Sequence, residues 1–304
     1  MYKPNRRTFL TTTAKAAGLL LAGRSVAAPT EKPLLSFSTL GCPKWSLEQI
    51  LTCAVTNGYQ GVELRGLAGE LYLPKSPAFN SPERIKATRQ QFVDRNIAIV
   101  DLGASTQLHM ANPVKRTEQL DEAKRFIELA SQLGCPYVRV FPNELPKEQD
   151  RAQTIDLIVK GLVELSEFTT NSPVQVLMET HGDVVESALL NQIMTTANRP
   201  NIGLIWDIVN MWSVTKEPPA HAYQVLKPFI RHVHTKDLRI VGNKHEYVPL
   251  GEGDAPLAEA FTALRKGGYR GYYSYEWEKL WHPEIQEPDV VFPQYPKAIQ
   301  RYFA

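Results

Sequence analysis

The sequence predicts one (β/α)8 TIM barrel, a single α/β domain, on three observations. Short apolar runs alternate eight times with helical patterns, the chain beyond residue 27 has the length that eight such units need, and no Pro/Gly/Ser-rich linker divides it. With 43% hydrophobic and 22% charged residues, the chain can fill a sizeable core. A doubly wound open sheet is the structural alternative, but no Gly-x-Gly-x-x-Gly follows the first strand.

Each unit is marked by its own punctuation. The first strand spans residues 34–40 and ends in Gly41-Cys42-Pro43, and its helix over 47–57 stops at Gly58. The second strand, 61–65, runs through a loop to Pro82 and a helix ending near Asn96; the third, 97–104, leads to a long helix over 114–133 that stops at Gly134. The fourth, 137–141, precedes a helix over 148–170, and the fifth, 174–178, is capped by Glu179-Thr180-His181-Gly182-Asp183 before a helix over 185–197. The sixth, 202–206, ends in Asp207 and its helix lies at 219–226; the seventh, 230–234, is followed by a helix over 256–266. The eighth, 271–275, ends in Glu276-Trp277-Glu278, and a final helix covers 292–302.

The stretch from Arg231 to Asp254 is the most concentrated in chemistry. Residues two apart on a strand share a face, so His232, His234 and Lys236 point one way and Val233 and Thr235 the other; a polar loop with His245 follows, and a helix start at Asp254. Two readings stand here: a functional row of titratable groups, or His232 bonded within the core with His234 at the surface.

The ends and the charge narrow the function classes. Asn5-Arg6-Arg7-Thr8-Phe9-Leu10, the weakly apolar residues 16–23 and Ser25-Val26-Ala27 have the order of a secretory signal and resemble a twin-arginine export peptide over 1–27. This implies export to the periplasm or outside the cell by the twin-arginine machinery, as a folded protein that could be loaded with metal first. Removing Lys3, Arg6, Arg7, Lys15 and Arg24 with no acid changes the formal charge from +2 to −3, leaving 28–304 as the barrel with no basic footprint for nucleic acid. No segment is apolar and long enough to span a bilayer, so no membrane anchor is expected. Cys42, Cys53 and Cys135 are odd in number and widely spaced, and read as small buried residues. A homo-oligomer stays open.

A barrel of this class brings the residues just after each strand to one mouth. That gathers Glu63, Arg65, Ser105, His109, Arg139, Glu179, His181, Asp207, Asn210, His234, Lys236, Glu276 and Glu278. Singly, Glu179 or Asp207 fits a helix N-cap or an ion pair. Together, Glu179, Asp207, His234 and Glu276 end four successive strands, and three carboxylates brought so close would repel unless a cation compensated them. One imidazole and three carboxylates suit a divalent ion, Mn²⁺ first and Mg²⁺ next, with Zn²⁺, Co²⁺ or Ni²⁺ also fitting.

Glu179-Thr-His-Gly-Asp183, Trp206-Asp207, His232-Val-His-Thr-Lys-Asp237, Leu250-Gly-Glu-Gly-Asp254 and Tyr275-Glu-Trp-Glu278 resemble the metal-site strand ends of the xylose-isomerase-like TIM-barrel family of sugar and sugar-phosphate isomerases and epimerases. The resemblance covers nearly all of the barrel. It implies Glu179, Asp207, His234 and Glu276 as metal ligands, with Glu179 and Glu276 also the catalytic acid/base pair on opposite faces of a small carbohydrate. The metal would stabilise the enediolate formed when the α proton leaves. His181, Asn210, Lys236, Glu63, His109 and Arg139 are candidates for gripping substrate hydroxyls, or are ordinary strand-end ion pairs. Trp206, Trp212 and Trp277 either wall a sugar pocket or pack.

One position departs from the family. Many relatives carry histidine three residues after the aspartate, where this chain has Asn210, which hydrogen-bonds a hydroxyl but does not shuttle a proton. Two further readings therefore remain: a lyase or dehydratase acting on a keto-sugar or keto-glycoside by expelling a β-leaving group, and a non-catalytic exported carbohydrate-binding barrel. No phosphate-cradling glycine loop follows the seventh or eighth strand, which favours an unphosphorylated ligand.

Overall fold

A computed structural model of the chain describes residues 32–303 with the exception of residue 243. The export segment expected over 1–27 lies outside the described residues. Leu34–Ser38 (β1), Gly61–Leu64 (β2), Ala98–Gln107 (β3), Tyr137–Phe141 (β4), Gln175–Glu179 (β5), Ile202–Asp207 (β6) and Ile230–Thr235 (β7) are parallel barrel strands. Asp237–Val241 (β8) and Lys244–Val248 (β9) form an antiparallel hairpin, and Tyr272–Tyr275 (β10) closes the barrel by pairing with both β7 and β1. The helices are Leu47–Asn57 (α1), Pro82–Asp94 (α2), Pro113–Leu133 (α3), Arg151–Phe168 (α4), Ser187–Ala197 (α5), Ile208–Thr215 (α6), Pro219–Leu226 (α7), Leu257–Lys266 (α8) and Pro288–Gln300 (α9). This is the closed (β/α)8 TIM barrel, in one domain, that the sequence predicts.

The helix ends follow local chemistry. Ser46 and Gln49 form a reciprocal capping box at the start of α1, and Gly58 and Gly134 end α1 and α3 in the left-handed conformation, at φ of 73° and 72°. Asp150 starts α4 three residues later than the sequence pattern suggests, because its carboxylate accepts the Gln153 N–H at 2.8 Å. The last helix starts at Pro288, a residue tolerated in the first turn, and carries Pro293 and Pro296 inside.

Two differences from expectation bear on the mouth. β3 continues to Gln107, which pairs with Phe141 after a register shift, so Ser105 belongs to the strand itself. An additional helix, α6, follows β6 directly: the Asp207 Oδ1 accepts the N–H of Val209 at 3.0 Å and of Asn210 at 2.8 Å, nucleating a turn where a loop was expected.

Outside the barrel, apolar helix faces pack on the strands, with Ile50, Leu162 and Phe261 fully buried. Beside β10 the packing is aromatic: the Tyr275 and Tyr295 rings stack at 4.4 Å, and Phe37 meets Phe292 at 4.4 Å. Gly41 is required there, since a Cβ would lie 2.8 Å from both Phe292 Cζ and Trp277 Cβ.

The segment expected to be a polar loop around His245 is the β8–β9 hairpin, turned at Gly242 with φ of 61°. One carboxylate fastens it. Asp237 Oδ1 accepts the Leu238 N–H at 2.9 Å and the Ala255 N–H at 3.3 Å, while Oδ2 accepts those of Gly251 at 2.9 Å and Gly253 at 3.0 Å. Asp254 does not start α8; it accepts the Ile240 N–H at 2.8 Å and ties the hairpin to the same loop. The glycines of Gly251-Glu-Gly253 let backbone approach a buried carboxylate. Replacing Asp237 with Ala should therefore cost about 1–3 kcal/mol and speed hydrogen exchange at Gly251 and Gly253; unchanged protection of those amides would contradict the clamp.

Candidate metal centre and active site

Glu179 and Asp207 are the last residues of β5 and β6, and the parallel register sets Glu179 beside Ile205, Asp207 beside His234 and His234 beside Ser274. Glu276 is two residues beyond Ser274 and so shares its face. Four residues distant in the chain thereby converge: ligand-capable atoms of Glu179, Asp207, His234 and Glu276 all lie within 4.8 Å of one another, and all four side chains are buried. His234 presents Nδ1 inward, 3.3 Å from both Glu179 Oε1 and Glu276 Oε2. Its other nitrogen, Nε2, meets Glu63 Oε2 at 2.8 Å, and that same oxygen lies 3.3 Å from His232 Nε2 and 3.3 Å from Ser274 Oγ. A second cluster of Glu63, His232 and His234 therefore lies directly behind the first and shares His234 with it.

Carboxylates in a dry interior need compensating charge, and the neighbouring cations supply part of it. Arg139 Nη1 bonds Glu179 Oε2 at 2.9 Å and lies 3.8 Å from Glu276 Oε1. Lys236 Nζ lies 2.7 Å from Asp207 Oδ2, 2.7 Å from Glu276 Oε2 and 2.5 Å from Glu278 Oε1. Burial pushes the Glu179 and Glu276 carboxyls up, but His234, Arg139 and, for Glu276, Lys236 outweigh it and hold both below the ordinary value. Burial likewise lowers the proton affinity of His234, yet Glu276, Glu63 and Glu179 around it raise it well above the imidazole norm.

Asp207 behaves differently. Burial dominates there, and the carboxyl is pushed up to about 7 despite Lys236. Its Oδ1 is committed to the α6 cap, while Oδ2 faces the cluster without an aligned hydrogen-bond donor, Lys236 approaching it only as a charge. Three carboxylates with one uncommitted oxygen, and an imidazole nitrogen aimed among them, are a donor set that fits a divalent cation. Asp101 is the converse case: neither of its oxygens has a hydrogen-bond partner among the described residues, and burial next to Glu63 pushes its proton affinity well up.

A model of the xylose isomerase-like TIM barrel matches residues 51–291. The chain belongs to this family. Within reach by sequence are a 3-dehydroshikimate dehydratase of Bacillus anthracis, 22% identical over 250 residues that cover 76% of this chain and 85% of that protein, and an inosose isomerase of Halalkalibacterium halodurans, 25% identical over 238 residues that cover 76% and 81%. The crystal structure of IOLI protein with a bound zinc atom has the same fold, with a TM-score of 0.71 at 19% identity over 88% of this chain and 95% of that one. The family thus holds enzymes of more than one reaction class on one barrel.

Set in the family barrel, the other candidate residues separate. A cavity of about 450 Å³ opens above the cluster, and Arg139, Glu179, His181, Asn210 and Glu276 line it. The His181 Nδ1 is 3.0 Å from Asn143 Oδ1, and its ring lies 4.6 Å from that of Phe141, which also carries the Arg139 guanidinium at 4.0 Å. Glu63 does not reach the cavity; it is wholly buried beneath His234. Lys236 is wholly buried among carboxylates, and the surface placement of His234 is excluded by its complete burial. His109 is outside the lining, because β3 runs on to Gln107, which occupies the wall instead. Trp206 packs on Tyr223 and Trp277 on Tyr275, and neither they nor Trp212 line the cavity. Besides Phe141 at the end of β4, the aromatic residues that do are Tyr247 on β9 and Trp281 in the loop after β10, with His282 beside these two. Nothing in the local pattern marks them, since both segments read as polar connections.

The Glu63 anion gives the interior a pH signature. Its carboxyl sits below the ordinary value of 4.5, despite burial, because of His234 and His232, so its stabilisation is present above 4.5 and is lost as pH falls through the lower folded value. The His234 contribution is full below its ordinary 6.5 and is lost only as pH rises through the higher folded value. In the chelator-treated protein, Glu63→Gln should cost about 3–5 kcal/mol between those limits, and less on the acid side of 4.5. A urea-denaturation cost as large on the acid side of 4.5 as above it would contradict the pairing.

Proposed function

We propose that this chain is a divalent-metal-dependent isomerase or epimerase of a small carbohydrate, with Glu179, Asp207, His234 and Glu276 holding the ion and Glu179 and Glu276 moving the proton. The observation that most supports this is the convergence of two ionised glutamates on His234 Nδ1, 3.3 Å from each, at the base of an open polar cavity. A bound divalent ion would supply Lewis-acid stabilisation of the negative charge that develops on the substrate's carbonyl oxygen. Mn²⁺ and Mg²⁺ suit three carboxylates, and the zinc atom in the structure of IOLI protein supports Zn²⁺ as well.

The chain's own groups then divide the work. One glutamate accepts the proton from the carbon next to the carbonyl. The other returns a proton either to the opposite face, inverting that centre, or to the neighbouring carbon, moving the carbonyl. Arg139 fixes Glu179 through Oε2 and keeps it ionised, which leaves Oε1, on the His234 side, as the oxygen that takes the proton, and Lys236 keeps Glu276 ionised in the same way. His181 and Asn210 face the cavity and can bind hydroxyls. Lys236 acts on substrate through Glu276 and Glu278 rather than by direct grip, Glu63 orients His234 from behind, and His109 has no place in this scheme.

A dehydratase is the second reading, and two observations favour it. Glu278 lines the cavity beside Glu276, with burial pushing its carboxyl up even beside Lys236, a position from which a carboxyl would protonate a departing hydroxyl. The 3-dehydroshikimate dehydratase of Bacillus anthracis is also among the relatives. Residues 1–27 support export and action outside the cytoplasm, on an unphosphorylated substrate.

Glu179→Gln and Glu276→Gln should each lower turnover by roughly 10²–10⁴-fold. The assay follows metal-loaded protein with free sugars, keto-sugars and keto-glycosides in D₂O by NMR. Deuterium entering beside a carbonyl with no bond broken supports isomerisation or epimerisation, and loss of water or aglycone supports elimination. Full turnover in either variant would refute the acid/base assignment.

A further inference from the structure

The cavity has two chemically different halves. Its base is polar and charged, with the Tyr247 ring 6.0 Å from Lys236 Nζ, while Trp281 and His282 stand further out in the lining. Trp281 is 56% exposed, although tryptophan is among the more buried residue types. This exposure is not the fraying of a loose loop. The Leu280 N–H bonds Leu40 O at 3.2 Å, those of Trp281 and His282 bond Glu278 O at 3.0 and 2.9 Å, and Lys279 Nζ bonds the carbonyls of Pro283 and Ile285. On the facing side, the hairpin that Asp237 clamps brings the Tyr247 ring to 4.8 Å from His282. Two fastened segments thus hold aromatic rings at the rim, at the cost of keeping an indole in water.

A volume of about 450 Å³ is large for a single sugar ring held at the ion, and falls in the range of sites for drug-sized ligands. Aromatic faces at the edge of a polar site suit the C–H face of a second ring, which polar groups bind poorly. We infer that Trp281, with Tyr247 and His282 behind it, forms an outer subsite for a second ring, and that the substrates are glycosides or disaccharides rather than free monosaccharides. The inner ring is placed over Glu179 and Glu276, so the inference rests on the function proposed above.

Calorimetry with the metal-loaded protein tests it, using glucose and methyl glucosides as one-ring probes against cellobiose, maltose and 4-nitrophenyl α- and β-glucosides as two-ring probes. At least one two-ring probe should bind about tenfold more tightly than its one-ring counterpart, and Trp281→Ala should remove that advantage. No advantage for any two-ring probe, or an advantage that survives Trp281→Ala, overturns the outer subsite. If Trp281→Ala instead dissociates an oligomer with the affinity ratio unchanged, the ring is a subunit contact and the inference also fails. Deuterium exchange into one-ring ketoses separates this from the chemistry. Exchange that persists while the two-ring advantage is absent leaves the proton-transfer reading standing without the subsite. An advantage that depends on Trp281, with no exchange in any probe, leaves the subsite standing without that chemistry.

Discussion

Six acidic side chains, Glu63, Asp101, Glu179, Asp207, Glu276 and Glu278, are buried in the upper part of this barrel, and the arrangement around them is dictated by how that charge is offset. Burial favours the uncharged form of Asp101, and Glu63, Glu179 and Glu276 are paired with Arg139, Lys236 and His234. The acidic oxygens crowd most closely where Asp207 Oδ2, Glu179, Glu276 and His234 Nδ1 face one another. Buried ion pairs are weak stabilisers, so charge gathered at this density is the strongest physical indication that this end of the molecule is built to hold something.

The same constraint explains why several residues serve twice. Asp207 caps α6 with one oxygen and leaves the other to the cluster, so the added helix fixes the carboxylate's direction. Glu63 holds His234 from behind, which selects the nitrogen that faces inward and strengthens it as a donor. Asp237 directly follows Lys236, the partner of Glu276, yet it turns away from the cluster and its carboxylate accepts four backbone N–H groups that anchor the hairpin.

Much of this was legible in the residues themselves. The eight strands are short apolar runs bounded by Gly, Pro or an acidic residue, and the glycines at 58 and 134 end helices as their backbone freedom allows. Glu179, Asp207, His234 and Glu276 could be grouped because strand order places consecutive strand ends side by side. Contacts across the barrel were not legible: β2 faces β7 through the interior, so Glu63 was expected at a hydroxyl and is found beneath an imidazole. His109 was misplaced because β3 has no punctuation at Ala104 and runs three residues further. The hairpin was hidden by its charged, exposed strands, whose pairing is set by Gly242 and by Asp237 from outside the hairpin turn, and with it went the aromatic rim.

One divalent ion shared by residues 179, 207, 234 and 276 is what the proposed chemistry requires. Anomalous diffraction from crystals grown with Mn²⁺ tests it most directly. A single strong peak per chain is expected, at about 2.0–2.2 Å from one atom of each of the four side chains. No peak there, or a peak elsewhere with Lys236 alone among the carboxylates, would contradict it.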